Sequence, residues 1–245
     1  MKAALPDKLT PQLATLASGV PAHGEWIYDL KFDGYRTMAR FDRGKPKLVT
    51  RGGHDWSDKM PQLIEELGRL GIRSGWLDGE IVVLGKNGAP SFNALQNSFD
   101  RRTSAAGISY FAFDVPYFEG YDLRGVALSD RRKVLKALLD EKGTEHVRFS
   151  ADFEGDPVNI LGSACKMGLE GVIAKRADAH YASRRTDSWL KLKCKLRQEF
   201  VVCGYTDRTD GSPQVGSCSA SMPRTATSCR SGAWVPAGVR KKRPS

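Results

Sequence analysis

A lysine closes an alternating stretch in Lys31-Phe32-Asp33-Gly34-Tyr35-Arg36. On a strand, Trp26, Tyr28 and Leu30 share one side and Ile27, Asp29 and Lys31 the other. The Asp33-Gly34 pair predicts a tight hairpin turn into a second alternating run, Tyr35 to Phe41. A lysine at a strand end, beside such a turn and five residues before an arginine, is a candidate nucleophile. Desolvation and nearby positive charge both expose a free amine for attack. Taken alone, the motif fits a solvated hairpin lysine better.

Further stretches carry groups suited to phosphate chemistry: Thr50-Arg51-Gly52-Gly53, Leu77-Asp78-Gly79-Glu80-Ile81-Val82, Tyr110-Phe111-Ala112-Phe113-Asp114-Val115, Leu169-Glu170-Gly171-Val172-Ile173-Ala174-Lys175-Arg176 and Trp189-Leu190-Lys191-Leu192-Lys193. Lys191 and Lys193 are two apart, so a strand turns both to one face, beside Trp189. Two co-directional ammonium groups make little sense in a core and suit a polyphosphate. The scattered histidines (His23, His54, His146, His180) need no catalytic role. No Ser-His-Asp pattern or phosphate-binding glycine loop competes.

The elements that must position these groups mix strands and helices. Helical spacing runs through Met60, Leu63, Ile64, Leu67 and Leu70, and through Val134, Leu135, Leu138 and Leu139 after Ser129, a candidate N-cap. Asp156-Pro157 predicts another capped start. Strand-like runs recur at Gly79–Leu84, Tyr110–Val115, Gly171–Lys175, Trp189–Lys193 and Phe200–Tyr205. Without regular βαβ alternation, they predict an α+β fold built on antiparallel sheets.

The 245 residues are 40% apolar and 27% charged, an ordinary globular composition. The absence of an ~18-residue apolar run argues against a membrane protein, and the lack of a hydrophobic segment after Met1 argues against a secreted one. Five cysteines, none as CxxC, argue against a disulfide framework or zinc cluster and for a reducing, cytoplasmic compartment. The net charge of +10 is uneven: residues 208–245 hold seven Lys/Arg against one acid. Those 38 residues contain only three of Leu, Ile, Val and Phe, all valine, but seven Ser, four Pro and four Gly. That composition predicts a basic, disordered tail.

Together and in order, the motifs resemble the series of the ATP-dependent DNA ligases, covalent nucleotidyltransferases related to RNA ligases and capping enzymes. Pro11 to Ala17, Ser91-Phe92-Asn93-Ala94-Leu95-Gln96, Tyr181 to Trp189 and Arg197-Gln198-Glu199-Phe200-Val201-Val202 resemble the bacterial ligase D branch, over roughly residues 8–207. The resemblance implies an α+β, antiparallel-sheet nucleotidyltransferase (ATP-grasp-like) adenylation domain over 1–197. It casts Lys31 as the lysine that attacks the α-phosphate of ATP to form lysyl-AMP. Arg36 and Arg51 would contact nucleotide or nicked DNA, Glu80 the ribose, and Phe113 would stack on adenine, with Tyr110 and Phe111 left as core. Glu170 would bind Mg²⁺ or Mn²⁺, Lys191 and Lys193 would neutralise the triphosphate, and Lys175 is a further basic position whose parity differs from that of Glu170. The implied substrate is nicked or broken double-stranded DNA in non-homologous end joining. A Ku-type end-binding protein is the implied partner, and the chain would be a monomer.

The family's oligonucleotide-binding barrel is expected to begin over 198–207 and then to stop. Residues 208–245 read as a basic arm or, better, as the product of a shifted reading frame. Self-adenylation would then be weak and nick sealing slight. An RNA ligase or capping-type enzyme, and a non-catalytic remnant that binds DNA or nucleotide, are the competing readings.

Overall fold

The computed structural model describes residues 1–84, 107–142 and 144–194 in full, and the backbone of the strands at 201–207, 215–221 and 233–235. The stretches Ser91–Gln96 and Arg197–Phe200 lie outside the described residues. The chain divides into two compact units, Met1–Cys194 and Lys195–Ser245.

Two sheets build the first unit. A six-stranded sheet takes β3 (Tyr35–Asp42), β4 (Lys45–Thr50), β5 (Ser74–Val83), β6 (Ile108–Phe118), β7 (Tyr121–Asp122) and β8 (Val147–Phe149). A five-stranded sheet orders β1 (Leu13–Leu16), β11 (Arg185–Lys193), β10 (Gly171–Arg176), β2 (Trp26–Leu30) and β9 (Asp152–Phe153). Pairing is antiparallel except for β1 with β11 and β6 with β8, so the α+β expectation holds with two parallel exceptions. Among the described residues the α-helices are α1 (Pro61–Arg69), α2 (Leu128–Lys142) and α3 (Pro157–Lys166).

Alternation decides which face each strand buries. On the six-stranded sheet Ala39, Phe41, Leu77, Ile81, Tyr110 and Ala112 join a core with Leu63 and Leu67 of α1 and Leu135 and Leu139 of α2. On the five-stranded sheet Tyr28, Val172, Ala174 and Leu192 pack with Ala164, Ile160 and Leu161 of α3. The remaining faces meet through Phe113, Leu128 and Trp189, with Ala14 and Ile27 beside them. α3 starts as its sequence indicates: the Asp156 carboxylate accepts from the N–H groups of Val158 and Asn159 at 3.1 and 3.0 Å, with Pro157 in the first turn. Ser129 does not cap α2; the helix already includes Leu128.

Three sequence expectations are corrected. First, Asp33-Gly34 makes no hairpin, since β2 and β3 belong to different sheets. Gly34 is needed for close approach: its N–H donates to Glu80 at 3.1 Å, and a Cβ there would run into the Ile81 carbonyl. The two-residue hairpin lies one strand later, at Arg43-Gly44, where both residues have positive φ (51° and 78°). Second, Cys165 at the end of α3 and Cys194 just after β11 are disulfide-bonded, with Cα atoms 5.3 Å apart. Cysteines 29 residues apart carry no local spacing signal, because the fold alone brings them together. Third, strands continue past Asp207. In the second unit β12 (Val201–Asp207), β13 (Val215–Ser221) and β14 (Ala233–Val235) form an antiparallel sheet. Val215-Gly-Ser-Cys-Ser-Ala-Ser221 pairs through its backbone, and its small side chains show little of the alternation that marks a half-buried strand.

Candidate active site

The site lies between the faces that the helices leave uncovered. Register sets Ile173 opposite Asp29 on one side and Lys191 on the other, Lys175 opposite Ile27 and Trp189, and Gly171 opposite Lys193. Asp29, Lys31, Lys175, Trp189, Lys191 and Lys193 therefore share one face of the five-stranded sheet. Across from them, Arg36 on β3 pairs with Glu80 on β5, and Glu80 pairs with Phe111 on β6. The two faces enclose a cavity of about 200 Å³ lined by Lys31, Arg36, Arg51, Glu80, Phe113, Lys175 and Lys191, with Asp29, Arg185 and Trp189 among the other walls. A neighbouring groove shares Arg36, Arg51 and Glu80.

Glu170 and Lys193 join this group through Lys31. The Glu170 carboxylate pairs with Lys31 Nζ through Oε2 and with Lys193 Nζ through Oε1 at 3.0 Å. Burial pushes the Glu170 carboxyl up, but hydrogen bonds from both lysines outweigh it and leave the group below its usual range. All nine residues named from the sequence thus fall in one place. The nearest charged partner of Lys31 is nevertheless an acid, where cationic neighbours were expected.

Each wall has its own electrostatics. Glu80 is pushed up to about 7 by burial, with Arg36, Lys31 and the Gly34 N–H opposing. Lys191 is lowered by burial and then by repulsion from Arg185, Lys193 and Lys31. Arg36 lies with its guanidinium carbon 4.3 Å from the Phe113 centroid and 5.5 Å from that of Trp189. Lys175 is buried against the same rings, at 4.1 and 4.4 Å, and pairs with Asp29. Burial brings Lys175 down to about 8 against the pull of Asp29. It is a cation in the cavity floor, under the aromatic pair.

Asp29 was not singled out from the sequence. It is 1% exposed; its Oδ2 serves Lys175 and Arg132, and its Oδ1 is buried without a hydrogen-bond partner. Its parity with Lys31 is the same signal that marked Lys191 and Lys193. Arg185 shares the parity of Lys191 along β11 and was likewise passed over. Among the described residues no cluster of three or more His, Cys, Asp or Glu side chains is placed to hold a metal ion. Glu170 offers a carboxylate paired directly with the lysine, a donor that fits a hard cation arriving with phosphate oxygens and water.

Comparison with known proteins places this geometry in a family. The sequence profile of the ATP dependent DNA ligase domain matches residues 11–193. The chain belongs to that family. This ligase domain is 49% identical over 216 residues to the multifunctional non-homologous end joining protein LigD of Pseudomonas aeruginosa, covering 88% of the chain and 26% of that protein. LigD of Mycobacterium tuberculosis is 36% identical over 221 residues, covering 89% and 28%. The chain thus spans about a quarter of the length of these relatives. Among solved structures, a mycobacterial DNA ligase D complexed with ATP and MES superposes with a TM-score of 0.69 at 36% identity, covering 86% of this chain and 67% of that one. The ligase domain of M. tuberculosis LigD gives 0.68 at 34%, covering 94% and 72%. The nucleotidyltransferase fold of the LigD ligase domain is therefore the fold of this chain.

Proposed function

We propose that the cavity is the adenylation site of a LigD-type ligase and that Lys31 is its nucleophile. The observation that carries this reading is the placement of Lys31 at a cavity holding both a carboxylate–lysine cluster and an aromatic-walled pocket. The Lys31 amine attacks the α-phosphorus of ATP, the bond to the β-phosphate oxygen breaks, and pyrophosphate leaves. Lys191 and Lys193 neutralise charge on the departing phosphates, which is where such transfers gain most. Glu80 accepts from the ribose hydroxyls, and Phe113 and Trp189 wall the base, with Asp29 Oδ1 as a buried acceptor for a base N–H. Arg36 and Arg51 contact the nucleotide and then the DNA. Glu170 would hold Mg²⁺ or Mn²⁺, which supplies charge neutralisation at the triphosphate when bound. Adenylate then passes to a DNA 5′-phosphate and is displaced by a 3′-hydroxyl. The LigD relatives are named for non-homologous end joining, which supports placing this reaction in the repair of broken DNA; a cytoplasmic setting and a Ku-type partner belong to the same proposal.

The test is transfer of label from α-labelled ATP to the protein in the presence of Mg²⁺, with the adduct surviving heat denaturation. Lys31→Ala should take no label. Retained label in that variant would remove Lys31 from its role.

A further inference from the structure

Arg36 is held by residues that do not line the cavity. Its Nε and Nη2 donate to Asp78 Oδ1 and Oδ2 at 2.7 and 2.8 Å, and Nη2 also reaches the Gln12 carbonyl at 3.3 Å. Asp78 is fully buried and accepts again from the Tyr181 hydroxyl at 2.7 Å. The Tyr181 oxygen accepts in turn from the Gln12 backbone N–H at 3.2 Å. Gln12 is fully buried too; its Nε2 donates to the Thr186 and Ser188 hydroxyls at 3.0 Å each, and its Oε1 accepts from the Ala182 N–H at 2.8 Å. An unbroken path of hydrogen bonds therefore runs from β11, through Gln12 and Tyr181, to Asp78 on β5 and Arg36 on β3. It ties the five-stranded sheet to the six-stranded one beside the cavity.

We propose that Tyr181 and Gln12 are positioning residues for Arg36. They lock Asp78, and Asp78 locks the plane of the guanidinium, so that the Nη1 edge is what the nucleotide meets. The inference rests on the adenylation reading above. A carboxylate gripping a guanidinium through two parallel bonds fixes its plane, but only while the carboxylate itself cannot turn. The Tyr181 hydroxyl supplies that restraint, and a satisfied buried network holds geometry better than its separate bonds. Without it Asp78 Oδ2 keeps only its bond from Arg36 Nη2, and the carboxylate and guanidinium can turn together against the Phe113 ring, whose centroid lies 4.3 Å from the guanidinium carbon.

Tyr181→Phe deletes the hydroxyl and keeps the ring. In the full 245-residue chain, with lysyl-AMP formation followed over a range of ATP concentrations, the half-saturating ATP concentration should rise about tenfold, the loss expected for a deleted hydrogen bond to a charged group. The rate at saturating ATP should stay within about threefold, since the nucleophile is untouched. In an Arg36→Ala background the same change should leave the half-saturating concentration unmoved, because the two residues act on one contact. Ser188→Ala, a milder cut further along the path, should raise it about threefold in a chain of wild-type melting temperature. Equal effects of Tyr181→Phe in both backgrounds, or unchanged ATP dependence in Tyr181→Phe and Ser188→Ala, would overturn the inference while wild-type labelling upholds the adenylation reading. A wild-type chain that takes no label would bring down both.

Discussion

Burial holds the Glu80 carboxyl at about 7, so this group changes charge within an ordinary working range. Between its usual value near 4.5 and about 7, the folded chain keeps a proton that the unfolded chain has lost. Stability from this group therefore falls as pH rises through that window and is level above it. Ribose recognition asks for the opposite state, because an ionised carboxylate is the better acceptor. The half-saturating ATP concentration for adenylation should thus fall between pH 6 and 8, and Glu80→Gln should flatten both profiles; a pH-independent wild type would remove Glu80 from the ribose site. At this scale the site was largely legible, since strand parity and motif order named nine residues that the fold gathers. Asp29 escaped because an acid two residues before a lysine looks like ordinary strand polarity until the sheet shows it buried. No role for Tyr181 or Gln12 could be read from the sequence, because they lie 169 residues from each other and Tyr181 lies 103 from Asp78.

At the scale of elements, buried charge ties strand to strand and strand to helix alongside the apolar packing. Asp29, Asp78 and Asp114 come from three different strands, and each is paired with Lys175 and Arg132, Arg36 or Arg131. Such pairs lend little net stability but cost several kcal/mol when one partner is removed. Most strands and helices were visible as periodicity. The crossing at Asp33-Gly34 was misread because a tight turn and a close backbone approach both call for glycine. The Cys165–Cys194 bond joins the C-terminal end of α3 to the end of β11, and the Cys194 N–H also donates to the Glu170 carbonyl at 3.0 Å. Cys194→Ser should cost about 3–4 kcal/mol in urea titrations under oxidising conditions, from the closure entropy of a 29-residue separation. Wild type treated with a dithiol should match the variant, and identical midpoints with and without the dithiol would show that the bond does not form.

For the whole molecule, charge and chemistry separate along the chain. The first unit carries every group assigned to adenylation, whereas residues 208–245 hold seven basic side chains against one acid. If the basic end of the chain meets DNA phosphates, replacing Arg240, Lys241, Lys242 and Arg243 by glutamine should make the slope of log affinity against log salt shallower by about 3–4. Label transfer from ATP should be unchanged. An unaltered slope would confine DNA contact to the rest of the chain. The strands past Asp207 were hidden because Ser, Ala and Cys pair through backbone without advertising a buried face.

The bond between Cys165 and Cys194 also gives the molecule a topology that linear numbering conceals. Glu170, Lys175, Arg185, Trp189, Lys191 and Lys193 all lie on the ring it closes, while Lys31 and Glu80 lie outside. A single protease cut inside that ring leaves one covalent molecule rather than two fragments. Nicked protein would migrate on a denaturing gel near its full mass until a reductant is added, and only then as two pieces.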